Sequence, residues 1–247
     1  MKKQIVTACA LIASVAAFAT SVESSNTFGV LKIAAPKGQS IIPVPWEKVG
    51  GGDIVVTDYV LPTGLTDGDL LYWYDANAGA YKVWKIASGA WAVDTTIKVD
   101  ADSISTETSN LTDTVARGTA AILNLSEPEY VYLSGQYADS TVTTTIYGLA
   151  SGEHEKYPLK FKSTLIAAPQ AEDYSLKNMT VTGTVTGDKI MVASSPAVTY
   201  VYGTVGGTTG WYKPGLDASS CKFDVKIPSG VGAWYMRYND GNITITW

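Results

Sequence analysis

The order of turn and strand signals recurs in the two halves of this chain. Residues 68–91 read GDLLYWYDANAGAYKVWKIASGAW, so a Gly-Asp pair opens an aromatic-rich stretch and a Gly-Ala-Trp closes it. Residues 187–211 begin with Gly-Asp and end with Gly-Trp in the same order. Register is also kept, because Gly118 and Gly230 are separated by the same distance along the chain as Tyr130 and Asn242. This constant spacing predicts a domain duplication rather than a short-period solenoid.

Each half has the residue pattern of short β-strands joined by tight turns. Residues 70–74 and 81–86 flank the turn sequence Asp-Ala-Asn-Ala-Gly, which predicts an antiparallel hairpin. The first of these segments carries bulky side chains on both faces, so we expect both sides of it to be covered. Only 17% of residues are charged and 11% are aromatic, which favours strands over disorder. The predicted fold is all-β, with two tandem homologous antiparallel β-sandwich or barrel-like domains.

The limits of the predicted domains follow from the repeat. Residues 30–136 form the first β domain and residues 161–247 the second, and residues 137–160 connect them. The first copy carries extra residues, which we expect in surface loops. Residues 20–29 have the composition of a flexible leader that buries little surface.

The N-terminus predicts export. Lys2 and Lys3 precede an apolar run that ends in Ala-Phe-Ala at residues 17–19, the pattern of a cleaved bacterial signal peptide spanning residues 1–19. No later stretch approaches the roughly 18 apolar residues that a membrane helix needs, so no transmembrane segment is expected in the mature chain. We expect an extracellular or cell-surface location, with the periplasm as an alternative.

Charge and cysteine content narrow the partners and the means of stabilisation. The formal net charge is −5 and becomes more negative once Lys2 and Lys3 are removed, which argues against binding to nucleic acid. Cys9 lies in the predicted signal peptide, so the exported chain retains Cys221 alone and cannot form an internal disulfide. Stability must therefore come from packing.

Four signals recur in order: Ala-Ala-Pro, Gly-Asp, Gly-x-Trp, and a glycine turn that leads to an aromatic residue and a final strand. This order resembles secreted tandem-repeat all-β proteins of environmental bacteria, over most of residues 30–247. The resemblance implies the all-β tandem architecture and export. It rests on structural glycines and aromatics, so it transfers no functional residue.

Residues with catalytic or metal-binding chemistry are sparse. His154 is the only histidine and stands in a turn between two glutamates, without the spacing of a metal site or a partner for a catalytic triad. Asp69 and Asp188 each follow a glycine just before a strand, where aspartate commonly caps a turn. Three acidic residues could contribute to a calcium-binding loop but lack the glycine and regular spacing of a recognised motif, namely Asp100, Asp102 and Glu107. We therefore expect no catalytic residue, no metal and no cofactor.

Two functions remain open from the sequence. The first is an exported non-enzymatic structural or adhesive component of the bacterial cell surface, envelope or extracellular matrix, which contacts itself or other envelope components. The alternative is a carbohydrate-binding protein, because planar aromatic side chains anchor ligands and Trp91, Trp211 and Tyr212 stand beside glycine turns where exposure is favoured. An enzyme ranks third.

Overall fold

The structure, a computed structural model, describes residues 27–94, 105–106, 108–137, 141–169, 172–183, 185–194, 196–215 and 218–247. The predicted signal peptide, most of the leader, and the acidic residues Asp100, Asp102 and Glu107 lie outside these ranges. Strands account for 52% of the described residues and helices for 5%, which confirms the all-β prediction. Within the described ranges, no helix has the length and apolar character required to cross a membrane.

The strands fall into two groups along the chain. The N-terminal group consists of β1 (Thr27–Ala35), β2 (Gly38–Pro43), β3 (Ile54–Val55), α1 (Val56–Tyr59), β4 (Val60–Leu61), β5 (Leu70–Asp75), β6 (Ala80–Ala87), β7 (Ala90–Val93), β8 (Ser105–Thr106), β9 (Thr114–Val115), β10 (Ala120–Leu125) and β11 (Glu129–Tyr137). The C-terminal group consists of β12 (Thr143–Ile146), α2 (Glu153–Lys156), β13 (Lys162–Ala167), β14 (Tyr174–Ser175), β15 (Thr180–Thr182), β16 (Lys189–Val192), β17 (Val198–Val205), β18 (Thr208–Tyr212), a 3₁₀ turn (Ala218–Ser220), β19 (Lys226–Ile227), β20 (Gly232–Arg237) and β21 (Ile243–Thr246).

Both groups order their strands in the same way. The N-terminal group has a small sheet β1-β11-β4, a large sheet β2-β10-β5-β6-β7 and a pair β3-β9. The C-terminal group has a small sheet β12-β21-β15, a large sheet β13-β20-β16-β17-β18 and a pair β14-β19. These pairings are antiparallel, and the one parallel pairing between named strands of the described chain joins β8 to β6. Strand β12 is the counterpart of β1. It lies within residues 137–160, which are predicted from the sequence to connect the two domains.

The predicted hairpin of residues 70–74 and 81–86 is present as β5 and β6. The following hairpin places Trp91 opposite Ile86, and the corresponding hairpin of the C-terminal group places Trp211 opposite Tyr202. The backbone before β5 and before β16 bonds alike, because Ile86 N donates to Asp69 O and Tyr202 N donates to Asp188 O, at 2.9 and 3.0 Å. The recurring Gly-Asp and Gly-Trp signals thus mark the same corners in both groups.

Three apolar clusters hold the fold together. One lies inside each group, between its small and large sheets, where alternate strand residues meet. The third, which we call the junction core, lies between the two large sheets and contains Ala120, Ile122, Leu165 and Ala167. Small residues bring the sheets close: a Cβ on Gly232 would lie 2.5 Å from Ile41 Cγ2. The two groups therefore share an interior.

Polar contacts across the junction fix the two large sheets further. Ala167 N donates to Gly118 O at 3.0 Å, which ties β13 to the turn before β10. The Arg117 guanidinium donates to Pro45 O of the N-terminal group and to Pro169 O of the C-terminal group, with Nε–O distances of 3.1 and 3.3 Å. Each group thus supplies one carbonyl to the same cation, which links the two groups directly.

Candidate functional site

A cleft of about 370 Å³ opens at the edge of the junction core. Its walls combine aromatic and thioether side chains from both strand groups with one glycine and one serine. The lining residues, which define the aromatic cleft, are Tyr74, Gly79, Tyr81, Phe161, Ser163, Met191, Trp234 and Met236. Ligand sites in proteins favour such places, since a boundary between two packed bodies yields a concave surface with fixed walls.

The β5–β6 hairpin and strand β20 hold the central rings. Tyr74 and Tyr81 stand directly opposite each other in the hairpin register, with ring centroids 4.8 Å apart. Trp234 approaches Tyr74 from the other group, at a centroid distance of 5.7 Å and an interplanar angle of 67°. This edge-to-face geometry is favourable for aromatic pairs and orients the rings. All three side chains are half-buried, so part of each ring stays open to a ligand.

A second hollow, of about 190 Å³, adjoins the aromatic cleft and shares Tyr74 with it. Hydroxyl groups are prominent in its lining, with Thr143 and Thr145 exposed on β12 and Tyr147 after that strand. We call it the threonine hollow. The two spaces follow each other along β13, because Ser163 lines the first, whereas Thr164 and Leu165 line the second.

The aromatic cleft is electrically neutral. All eight of its lining residues are uncharged at neutral pH. Burial raises the pKa of Tyr74, and the neighbouring Asp75 carboxylate raises it further; burial also raises the pKa of Tyr81. The phenols therefore keep their protons and can donate hydrogen bonds. A cleft of this kind can bind and orient a ligand through its rings and hydroxyl groups.

The predicted site residues Trp91, Trp211 and Tyr212 do not form this cleft. Trp91 and Trp211 are buried in the cores of the N-terminal and C-terminal groups, with 6% and 5% of their surface exposed. The indole Nε1 of Trp91 donates to Val60 O at 2.6 Å, and Trp211 packs edge-on against Tyr202 and Tyr235. The prediction that both tryptophans are exposed beside their glycine turns is therefore wrong, because the turns direct the rings inward. Tyr212 is half-buried and packs against Phe223, with the ring centroids 5.5 Å apart.

The paired aspartates have structural partners. Asp69 caps its own turn as predicted, since its Oδ2 accepts a bond from Thr66 N at 2.9 Å, and it also reaches Ser126. Asp188 instead reaches the end of β20, where Arg237 Nη1 donates to its Oδ2 at 2.8 Å. Tyr235, Tyr238 and Asn239 supply further donors to that carboxylate. This buried network therefore engages both oxygens of the Asp188 carboxylate within the fold.

His154 lies on α2, and its backbone N donates to Asp240 Oδ1 at 2.9 Å. Its ring Nδ1 is buried without a hydrogen-bond partner among the described residues. Cys221 is half-buried and forms no disulfide among the described residues. Among the residues that the structure covers, no three His, Cys, Asp or Glu side chains cluster as metal ligands. These groups do not adjoin the aromatic cleft.

The residues of the aromatic cleft escaped sequence-based prediction for a specific reason. Tyr74 and Trp234 meet only because the two large sheets pack together, and nothing in the local pattern of either strand specifies that contact. One signal was available: residues 70–74 carry bulky groups on both faces, which requires a covering partner on each side. The C-terminal group is that partner for Tyr72 and Tyr74.

Comparison with known proteins adds no further constraint. No protein-family model matches the chain, and no characterised protein or solved structure is similar to it. The function must therefore be argued from the site itself.

Proposed function

We propose that this protein is an exported, non-enzymatic adhesive component of the bacterial cell surface, envelope or matrix. The observation that carries the proposal is the aromatic cleft, a neutral, half-open concave surface built by both strand groups. Aromatic side chains dominate binding energies at interfaces because they bury large areas at little entropic cost. A contact surface of this kind suits holding a partner rather than transforming it.

The architecture supports this proposal. We infer that the two strand groups are tandem homologous β-sandwich domains that arose by duplication, on the basis of their common strand order and the recurring Gly-Asp and Gly-Trp corners. Rigid walls suit adhesion, since a preformed site loses little conformational entropy on binding. The pattern of Lys2, Lys3 and the following apolar run supports export, with the chain held outside the cytoplasm.

The test is co-sedimentation of the mature chain with insoluble envelope and matrix material from the producing cells. We expect the wild type to sediment with this material and Phe161→Ala to bind about tenfold more weakly. This change corresponds to about 1.4 kcal/mol, within the range found for truncated interface side chains. Phe161 is 43% exposed, so we expect its truncation to leave the fold intact.

The matched control is Tyr212→Ala, which removes an aromatic ring at the position predicted from the sequence. Tyr212 lies outside the aromatic cleft, so this variant should bind like the wild type. If Tyr212→Ala abolishes binding and Phe161→Ala does not, the contact surface is the turn beside β18 and the cleft has no role. A wild-type chain that stays in the supernatant would contradict the adhesive function altogether.

A further inference from the structure

We infer that the aromatic cleft and the threonine hollow together bind one uncharged glycan chain of at least two sugar units, which passes over Tyr74. This inference rests on the proposed function, because it names the partner of the same contact surface. It goes further by assigning the chemical class of the ligand and its direction along β13.

The shape of the site points to a chain. The two spaces, of about 370 and 190 Å³, share one wall residue and succeed each other along β13. A compact ligand would fill one space and leave the other to solvent. A linear ligand uses both, with Tyr74 as the contact between successive units.

The chemistry changes along the site in a way that matches a sugar polymer. A pyranose unit presents apolar C–H groups on its faces and hydroxyls around its edge. The aromatic cleft offers rings and thioethers that can pack against the apolar C–H faces. The threonine hollow offers hydroxyls from Thr143, Thr145 and Tyr147, which can donate hydrogen bonds to the sugar hydroxyls and accept bonds from them.

The two charged side chains that line the threonine hollow are engaged within the protein. The Arg117 guanidinium donates to the carbonyls of Pro45 and Pro169. The Asp75 carboxylate accepts bonds from the backbone N–H groups of Asn77 and Ala78, at 2.9 and 3.1 Å. Arg117 and Asp75 also carry opposite charges, so the lining of the threonine hollow has no net charge. A charged ligand would therefore lose its hydration without gaining a net counter-charge, which is costly. Neutral glycans avoid this cost.

Two experiments test the inference. In the first, titration calorimetry of the mature chain uses cello-, xylo- and manno-oligosaccharides of one to six units, with oligogalacturonate as the charged control. We expect one neutral series to bind with an affinity that rises from one unit to about three and then levels off. Phe161→Ala should weaken binding of every length about tenfold. Thr145→Val, an exposed strand position, should weaken only the longer members, about fivefold for one lost hydrogen bond. A preference for oligogalacturonate, or an affinity independent of length, would overturn the inference.

The second experiment separates the ligand class from the proposed function. Envelope material is treated with periodate, which cleaves sugar diols, or with protease, and co-sedimentation is repeated. Loss of binding after periodate, with binding kept after protease, supports a glycan even where no soluble oligosaccharide binds. Binding that survives periodate and is lost after protease shows a protein partner: the glycan inference then fails while the adhesive function stands. If untreated material does not bind, both fail.

Discussion

Asp69 and Asp188 occupy the same corner of the two strand groups, yet their carboxylates are held in different ways. Each follows a glycine, each is buried, and each accepts a backbone bond from the next strand of its large sheet. The carboxylate of Asp69 accepts from the backbone and hydroxyl groups of Thr66 and Ser126. The carboxylate of Asp188 pairs with the buried Arg237 and with Tyr235. The same backbone arrangement therefore accommodates a carboxylate with neutral partners in one strand group and a carboxylate with a charged partner in the other.

The difference matters because removal of the carboxylate has a different consequence for each set of hydrogen-bond partners. Neutral donors near a loop can turn to water when the carboxylate is removed. Arg237 is only 2% exposed, so its guanidinium cannot turn to water. The comparison therefore predicts that equal substitutions at the two corners have unequal costs.

The largest expected effect is that of Asp188→Ala. Removal of one partner leaves a buried, uncompensated cation, which costs about 3–5 kcal/mol of unfolding free energy. Urea denaturation of the wild type and the variant measures it. The double variant Asp188→Ala, Arg237→Met should recover part of the loss, because the stranded charge is then absent. If the single variant is no less stable than Asp69→Ala, the ion pair contributes nothing that a neutral corner lacks.

The next effect concerns Asp69→Asn, which should cost about 1–3 kcal/mol at neutral pH through disrupted hydrogen bonds. Burial by itself would raise the pKa of Asp69, but the bonds from Ser126 and Thr66 outweigh it and lower the pKa below its ordinary value of 3.8. A carboxylate with a lowered folded-state pKa stabilises the fold above the unfolded-state pKa. That contribution is lost as the pH falls through the folded-state pKa.

The stability gap between wild type and Asp69→Asn should therefore shrink as the pH is lowered from neutral to well below 3.8. Urea midpoints of both proteins, measured across that interval, provide the test. Asp67→Asn is the matched control, since Asp67 lies two residues away and caps Gly89 N from an exposed position. A gap that is constant with pH would show that the Asp69 carboxylate is not held by these bonds in its charged form.

Much of the architecture could be predicted from the sequence because it depends on local signals. Glycine turns, alternating strands and recurring corners specify hairpins over short distances, and β5 and β6 lie as predicted. The partner of Asp188 could not be predicted, since Arg237 stands 49 residues later in the chain and meets it only through sheet packing. The aromatic cleft depends on the same kind of long-range contact.

The burial of Trp91 was, by contrast, within reach of sequence reasoning. A glycine turn shows where the backbone reverses, but strand register decides which face a side chain occupies. Trp91 stands opposite Ile86, and Ile86 shares its face with the buried Trp84. The inward direction of the Trp91 ring follows once that hairpin register is known. Proximity to glycine was the wrong criterion for exposure.

The smallest expected effect distinguishes the two buried tryptophans. Trp91→Phe and Trp211→Phe remove similar volumes from equivalent corners, so their cavity costs should nearly cancel in the difference. Only Trp91 loses a hydrogen bond, because its Nε1 donates to Val60 O whereas Trp211 Nε1 is buried without a partner among the described residues. Trp91→Phe should therefore cost about 1 kcal/mol more than Trp211→Phe in unfolding free energy. Parallel urea titrations can resolve this difference. An equal or larger loss in Trp211→Phe would mean that its edge-on contacts with Tyr202 and Tyr235, at 5.3 and 5.6 Å, outweigh the hydrogen bond of Trp91.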